Sequence, residues 1–250
     1  MATVLDKFDP AKHFFKDPYP HVIIEDALPQ DLYNKLAKEF PVEQIKEHQP
    51  LLEGHTHRYL AYDVLHLKKF PVSESWEKFF VEHTSQEYYD KIVDLFNVRS
   101  DKTNVKVAVR GVDKKAGGLV TDTQFVVHKP YEAGTTRTTH IDNPQELYAG
   151  LLYFRQDGDE SQGGDFEIFS VDTSPDVLKL KGREVKQGQQ KKLVKTIKYK
   201  ANTFVMFLNT DKSVHGVTPR TNAKMDRLSI NIIAETNSKQ DKLFRLHEHV

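Results

Sequence analysis

No cysteine occurs among the 250 residues. That absence excludes a disulfide scaffold, thiolate-bound zinc, iron–sulfur clusters and thiol catalysis. Net charge is missing too: 36 Lys and Arg face 36 Asp and Glu, whereas dedicated nucleic-acid binders carry a basic excess. No stretch approaches the roughly 20 apolar residues of a membrane-spanning helix. The opening MATVLDKFDPAKHFF has acids among its lysines and no apolar run, so no signal peptide is expected. The expectation is a cytoplasmic globular protein. It is long enough to bury a core without staples, in one large domain or two small ones.

What is present changes texture along the chain. Residues 1–20 read as an extended lead-in, and HVIIEDAL (21–28) as a short strand. Leu32, Leu36 and Phe40 recur at helical spacing, with Tyr33 and Ala37 beside them. The stretch 41–70 is mixed, with HTHRYLAYDVLHL as strand or loop. Residues 73–96 carry Trp76, Phe79, Phe80, Tyr88, Tyr89, Ile92, Val93 and Phe96, which fits one long amphipathic helix or two shorter ones. After about residue 104, short β-branched and aromatic runs follow one another, separated by Gly, Asp, Asn and Pro. Such a run of strands indicates a sandwich or barrel. The absence of strand–helix alternation argues against a doubly wound parallel sheet. Residues 178–200 hold nine Lys and Arg and one acid, Glu184. This segment reads either as an edge hairpin guarded by lysines or as a docking surface for an acidic partner.

The chemistry concentrates in the β half. His140 and Asp142 form an H-x-D pair whose side chains share a face if the segment is extended. Two ligands do not hold a selective divalent site. The natural third is His215, 73 residues after Asp142 and just ahead of a Gly and a Pro that turn the chain. Two imidazoles and a carboxylate give the facial arrangement of non-haem Fe(II) oxygenases, with positions left open. Twelve residues after His215 comes Arg227. Arg227, Ser229 and Asn231 share one face of RLSINIIAE; Leu228, Ile230 and Ile232 share the other. A polar face inside a β-rich core suits a barrel lining, and a buried guanidinium needs an anion, ideally a carboxylate. Arg220 and Lys224 are rival anchors, but their polar loop TPRTNAKMD suggests they face solvent. Gln124 and Asn209 are weaker candidates for a cosubstrate contact. His55 and His57 form an H-x-H pair with no third ligand nearby, and His128 is not expected to bind metal. Gly163 and Gly164 read as a turn before a strand.

The stretch from about Thr123 to Glu235 resembles the Fe(II)/2-oxoglutarate-dependent oxygenases, and most their prolyl-4-hydroxylase-like branch. The matching pieces, in order, are YEAG (131–134), THID (139–142), LLYFRQDGDESQGGDFEIF (151–169), NTFVMFLNT (202–210), SVHGVTP (213–219) and RLSI (227–230). The resemblance implies a double-stranded β-helix, a jelly-roll or cupin-like barrel, with helices packed on one face. It implies His140, Asp142 and His215 as iron ligands, Arg227 on the distal carboxylate of 2-oxoglutarate, and Ser229 completing an R-x-S pattern. Tyr131 falls where the family often lines the cosubstrate pocket with tyrosine, and Tyr153 competes for that place. Animal prolyl hydroxylases use Lys at the anchor; Arg is a common variant. A carboxylate at Asp142 favours hydroxylation over halogenation, since family halogenases have a small residue there.

The resulting expectation is an α+β, mainly β protein of one oxygenase domain, residues 1–250. Residues 1–103 would be helical support, 104–236 the barrel and 237–250 a tail. The expected activity is hydroxylation of an unactivated C–H in an amino-acid-like small molecule or a peptidyl residue. Fe(II), 2-oxoglutarate and O2 are the implied cofactors, with ascorbate as an optional reductant and succinate and CO2 as coproducts. The alternatives are oxidative demethylation of nucleic acid and a non-catalytic cupin-like binding module. The demethylase pattern R-x5-R is not met, because six residues separate Arg220 from Arg227.

Overall fold

Polar and apolar residues alternate from Arg227 onward, and the structure turns that alternation into two faces of one strand. The computed structural model describes residues 1–52, 55–112, 118–130, 138–172, 184–185, 191–236, 238 and 242–245. Its larger sheet runs in the order β1 (Phe14–Phe15), β2 (His21–Ile24), β9 (Phe204–Leu208), β6 (Glu146–Tyr153), β11 (Arg227–Thr236), β5 (Leu119–His128) and β3 (Thr56–Leu60). The short β4 (Ala108–Val109) runs parallel to β5, and the other pairings are antiparallel. A smaller antiparallel sheet has the order β10 (His215–Val217), β7 (Phe166–Val171), β8 (Lys191–Ile197). Tyr153, Val205, Phe207 and Ile233 of the larger sheet pack against Phe166, Ile168 and Ile197 of the smaller one. This is the expected double-stranded β-helix.

The other face of the larger sheet is covered by helices. Leu228, Ile230, Ile232 and Ala234 of β11 share a core with Phe125, Trp76, Phe79 and Phe80. Residues 73–96 form two helices, α4 (Glu74–His83) and α5 (Gln86–Leu95). The break is chemical: Ser73 accepts from the N–H of Trp76 and Ser85 from that of Tyr88, so each serine caps its own helix. Trp76 is fully buried, crosses Phe40, Phe79 and Phe125 edge-on, and donates its indole N–H to the Leu36 carbonyl in α2 (Gln30–Lys38).

Residues 1–103 supply more than the helical support expected of them. They contribute β1, β2 and β3 to the larger sheet. The lead-in forms α1 (Pro10–His13) and β1, while α3 (Val42–His48) and a π-helical turn at Asp63–Leu67 occupy the mixed stretch. In the basic segment, residues 178–183 and 186–190 lie outside the described residues, as does most of the tail 237–250. Among the described residues β8 is an edge strand rich in lysine, in keeping with the edge reading. No helix of the described residues is long and apolar enough to cross a membrane.

The lead-in is tied down by His83. Its Nε2 accepts from the N–H of Val4 at 3.2 Å and its Nδ1–H donates to the Phe79 carbonyl at 2.8 Å. Both nitrogens of a neutral ring are thus used, and full burial lowers its pKa from 6.5 to about 4. The unfolded chain therefore takes up a proton below about pH 6.5 that the native chain refuses until about pH 4. Its contribution is present above pH 6.5 and is lost as pH falls toward 4. The difference amounts to about 3 kcal/mol. Urea unfolding at pH 7 and pH 4 should show a smaller acid-induced loss in His83→Gln than in the unaltered protein.

Candidate active site

Antiparallel pairing brings the two histidines of the β half together. His215 opens β10, opposite Ile168 of β7, and also meets His140 in an isolated bridge. The His140 N–H donates to the His215 carbonyl at 2.8 Å, and the His215 N–H returns a bond to the His140 carbonyl at 3.0 Å. Residues opposed in this way project to the same side, and their ring centroids are 4.2 Å apart. Asp142, two residues on, returns to the same place.

Each ring is set by the chain that carries it. His140 donates its Nδ1–H to the Thr138 carbonyl at 2.7 Å, and His215 donates its Nδ1–H to the Ser213 carbonyl at 2.8 Å. That leaves both Nε2 lone pairs facing inward, the tautomer a metal requires. His140 Nε2 lies 3.4 Å from one Asp142 oxygen and His215 Nε2 lies 3.6 Å from the other. The three ligand atoms fall within 4.8 Å of one another. Adjacent ligands of one ion, at a metal–nitrogen distance of about 2.1 Å, would lie roughly 3 Å apart. Phe166 stacks on His215 at 5.2 Å, and Phe207 lies 4.5 Å from it. This donor set suits ferrous iron with open positions. Among the described residues this is the group of three that could hold a metal.

The opposite wall belongs to β11. Arg227 is 1% exposed, and its Nε donates to the Gly164 carbonyl at 3.1 Å. Its guanidinium carbon lies 5.0 Å from the Tyr153 ring centre and 4.8 Å from that of Tyr199. Among the described residues no carboxylate is ion-paired with it, and its Nη2 is buried without a hydrogen-bond partner. Ser229 Oγ and Asn231 Oδ1, further along the same face, are buried and unpartnered as well. A buried cation beside an orphan hydroxyl is suited to receive a carboxylate. Burial raises the Tyr199 pKa to about 12 even though Arg227 opposes the rise.

The loop that reaches Arg227 depends on glycine. Gly163 and Gly164 have φ of +81° and +73°. A Cβ on Gly163 would stand 1.9 Å from the Pro219 carbonyl oxygen. Gly163→Ala should cost about 2–4 kcal/mol, read as a fall in the thermal midpoint.

Other expectations fare differently. Tyr131 lies outside the described residues, whereas Tyr153 stands beside Arg227. Arg220 is not solvent-facing: it is 5% exposed and pairs with Asp159 at 3.3 Å while bonding Ser161 Oγ and the Met225 carbonyl. A polar loop hid a buried ion pair whose partner is 61 residues away. Lys224 is exposed as expected. Gln124 bonds Asp122, and Asn209 bonds the carbonyls of Asn143 and Glu146, so both have structural partners. His57 bonds the Gln49 carbonyl and His128 bonds Thr56. Two tyrosines that drew no notice as sequence adjoin the site. Tyr199 sits on Arg227, and Tyr19 donates its hydroxyl to the Val214 carbonyl at 3.2 Å. Only the alternation in KYK hinted at the first.

Residues 124–234, a little under half of the chain, match the family model of the 2OG-Fe(II) oxygenase superfamily. No curated protein sequence matches. Among solved structures, a prolyl 4-hydroxylase from Phytophthora capsici is 16% identical with a TM-score of 0.51, over 86% of this chain and 58% of that one. A prolyl-4-hydroxylase from Pseudomonas putida is 17% identical with a TM-score of 0.48, over 94% and 98% of the two chains. The epimerase SnoN of nogalamycin biosynthesis, in complex with Fe3+ and alpha ketoglutarate, is 11% identical with a TM-score of 0.49, over 86% and 78%.

Proposed function

We propose that this chain, whose residues 124–234 match the family model of the 2OG-Fe(II) oxygenase superfamily, is an oxygenase of that superfamily that hydroxylates an unactivated C–H of an amino-acid-like small molecule or a peptidyl residue. The enzyme is a 2-oxoglutarate-dependent dioxygenase that uses Fe(II), 2-oxoglutarate and O2. In this reading residues 1–250 form a single oxygenase domain. His140, Asp142 and His215 hold the iron, and Arg227 with Ser229 holds the distal carboxylate of 2-oxoglutarate. The carrying observation is that three convergent ligand atoms and a buried guanidinium with no ion pair among the described residues adjoin one inter-sheet cluster, His215 through Phe166 and Phe207 and Arg227 through Tyr153 and Tyr199.

Iron with its cosubstrate and O2 supplies the oxidising power to break a C–H bond, with succinate and CO2 as coproducts. The chain does the rest. Thr138 and Ser213 hold the two imidazoles in the ligating tautomer through their carbonyls. Arg227 would fix the cosubstrate with a rigid fork, beside the Tyr153 and Tyr199 rings, whose centres lie 5.0 and 4.8 Å from its guanidinium carbon. Phe166 and Phe207 exclude water on the His215 side. The amino-acid or peptidyl substrate class rests on the branch resemblance of the motifs around His140 and His215. Arg220 is committed to Asp159, which weighs against its serving beside Arg227 in a nucleic-acid demethylase.

Succinate formation with Fe(II), ascorbate and 2-oxoglutarate, screened against free amino acids and short peptides, tests the reading. Stimulated succinate release with a product heavier by one oxygen atom supports it. A 2-oxoglutarate turnover that no amino acid or peptide stimulates removes the substrate assignment.

A further inference from the structure

The strand carrying His215, β10, is short. Among the described residues β10 has three residues, pairs along one side with β7 and meets His140 in an isolated bridge. So short a strand contributes little to holding a side chain in place, whereas a metal ligand must be held closely.

The N-terminal strand pair supplies an additional tie. β1 and β2 continue the larger sheet past β9, with His21 opposite Phe207. Between them lies Tyr19, only 2% exposed. Its hydroxyl crosses to the smaller sheet and donates to the Val214 carbonyl, which also accepts the Phe169 N–H of β7. Its ring meets Phe207 edge-on at 6.1 Å, and Phe207 in turn packs on His215 at 4.5 Å. One side chain therefore touches the peptide just before His215 and the ring that backs its imidazole. The Asp142 charge adds to burial in raising the Tyr19 pKa, which agrees with their closeness. The strap is itself anchored across the sheets: the Lys195 ammonium of β8 sits 3.8 Å from the Phe15 ring centre, and Phe15 stacks on His21.

We propose that Tyr19 is a positioning residue of the metal centre: its hydroxyl ties the N-terminal strand pair to the carbonyl preceding His215 and so fixes His215 against Asp142. The inference rests on reading His140, Asp142 and His215 as metal ligands. It concerns a part of the chain that the family match, residues 124–234, does not reach.

The test is titration of metal-free protein with Co(II), followed by the visible absorption of the bound ion, in the unaltered protein, Tyr19→Phe and Tyr89→Phe. Tyr89 is the control, because its buried hydroxyl also donates to a backbone carbonyl, that of Thr103, on the helical side. Both Phe variants should lower the thermal midpoint of the metal-free protein by similar amounts. Only Tyr19→Phe should weaken Co(II), by about tenfold, the lower end for losing a group that orients a ligand. Co(II) binding by Tyr19→Phe within twofold of the unaltered protein overturns the inference, as does an equal loss in Tyr89→Phe. No binding by the unaltered protein overturns the metal-centre reading itself, and this inference with it.

Discussion

Asp142→Ala should reduce 2-oxoglutarate turnover to below about 1% of the unaltered protein, a larger loss than the 10–100-fold that follows when an outer-shell partner is removed. In the proposed metal centre Asp142 is the one anionic ligand, and it faces both imidazoles at once, with one oxygen toward each Nε2. Without it two neutral nitrogens remain, and two ligands do not keep a labile divalent ion in place against solvent. The metal-free fold should change little. The carboxylate oxygens stand 3.4 and 3.6 Å from the imidazole nitrogens, so these two contacts are weak. The check is succinate formation beside a thermal melt. A variant that keeps more than a tenth of the turnover while folding normally would remove Asp142 from the metal centre.

The second large effect belongs to Arg227. Truncating one partner of a buried, hydrogen-bonded charge pair costs about 2–5 kcal/mol of binding, which is roughly 30-fold to more than a thousandfold in affinity. Arg227→Met should raise the 2-oxoglutarate KM by that range. Its effect on the ligand-free fold runs the other way from intuition. In the free protein, among the described residues, the buried guanidinium has an unpartnered Nη2, with the Gly164 carbonyl and two tyrosine rings beside it. Replacing an uncompensated buried charge by an apolar side chain is often neutral or stabilising, so the midpoint of the metal-free variant should match or exceed that of the unaltered protein. Saturating ligand stabilises by about 2.7 kcal/mol at a hundredfold excess over Kd. The rise in midpoint caused by 2-oxoglutarate with Mn(II) should therefore fall to about a third or less in Arg227→Met. Arg227→Lys, which keeps the charge and loses the fork, should fall between the two. An unchanged ligand-induced shift in Arg227→Met would place the cosubstrate elsewhere.

Local signals carried much of the candidate site. His140 and Asp142 are two residues apart, and any extended backbone puts them on one face. The alternation from Arg227 to Ile232 announces a strand with one polar side, and the structure puts that side inside the barrel. Helix stretches were legible from apolar spacing, while their division at Thr84 came from serine capping, which a periodic pattern smooths over. Arg220 looks solvent-facing in the sequence because its loop is polar, and its partner Asp159 belongs to a different turn of the chain. Tyr19 and the two-residue β1 gave no pattern at all. A strand so short has no period to detect, and its place depends on pairing with β2.

The sequence by itself determined which side chains could meet and of what chemical kind: two imidazoles, a carboxylate and a guanidinium, each on an extended segment whose two-residue period sets its face. Tertiary structure alone decided that the His140 and His215 backbones exchange hydrogen bonds, that Arg227 is buried with no ion-paired carboxylate among the described residues, and that Tyr19 reaches from the first strands to the carbonyl preceding His215. The reason is range. Side-chain direction along a strand follows from backbone stereochemistry within a few residues, whereas the pairing of strands is chosen by the burial of whole faces contributed from opposite ends of the chain.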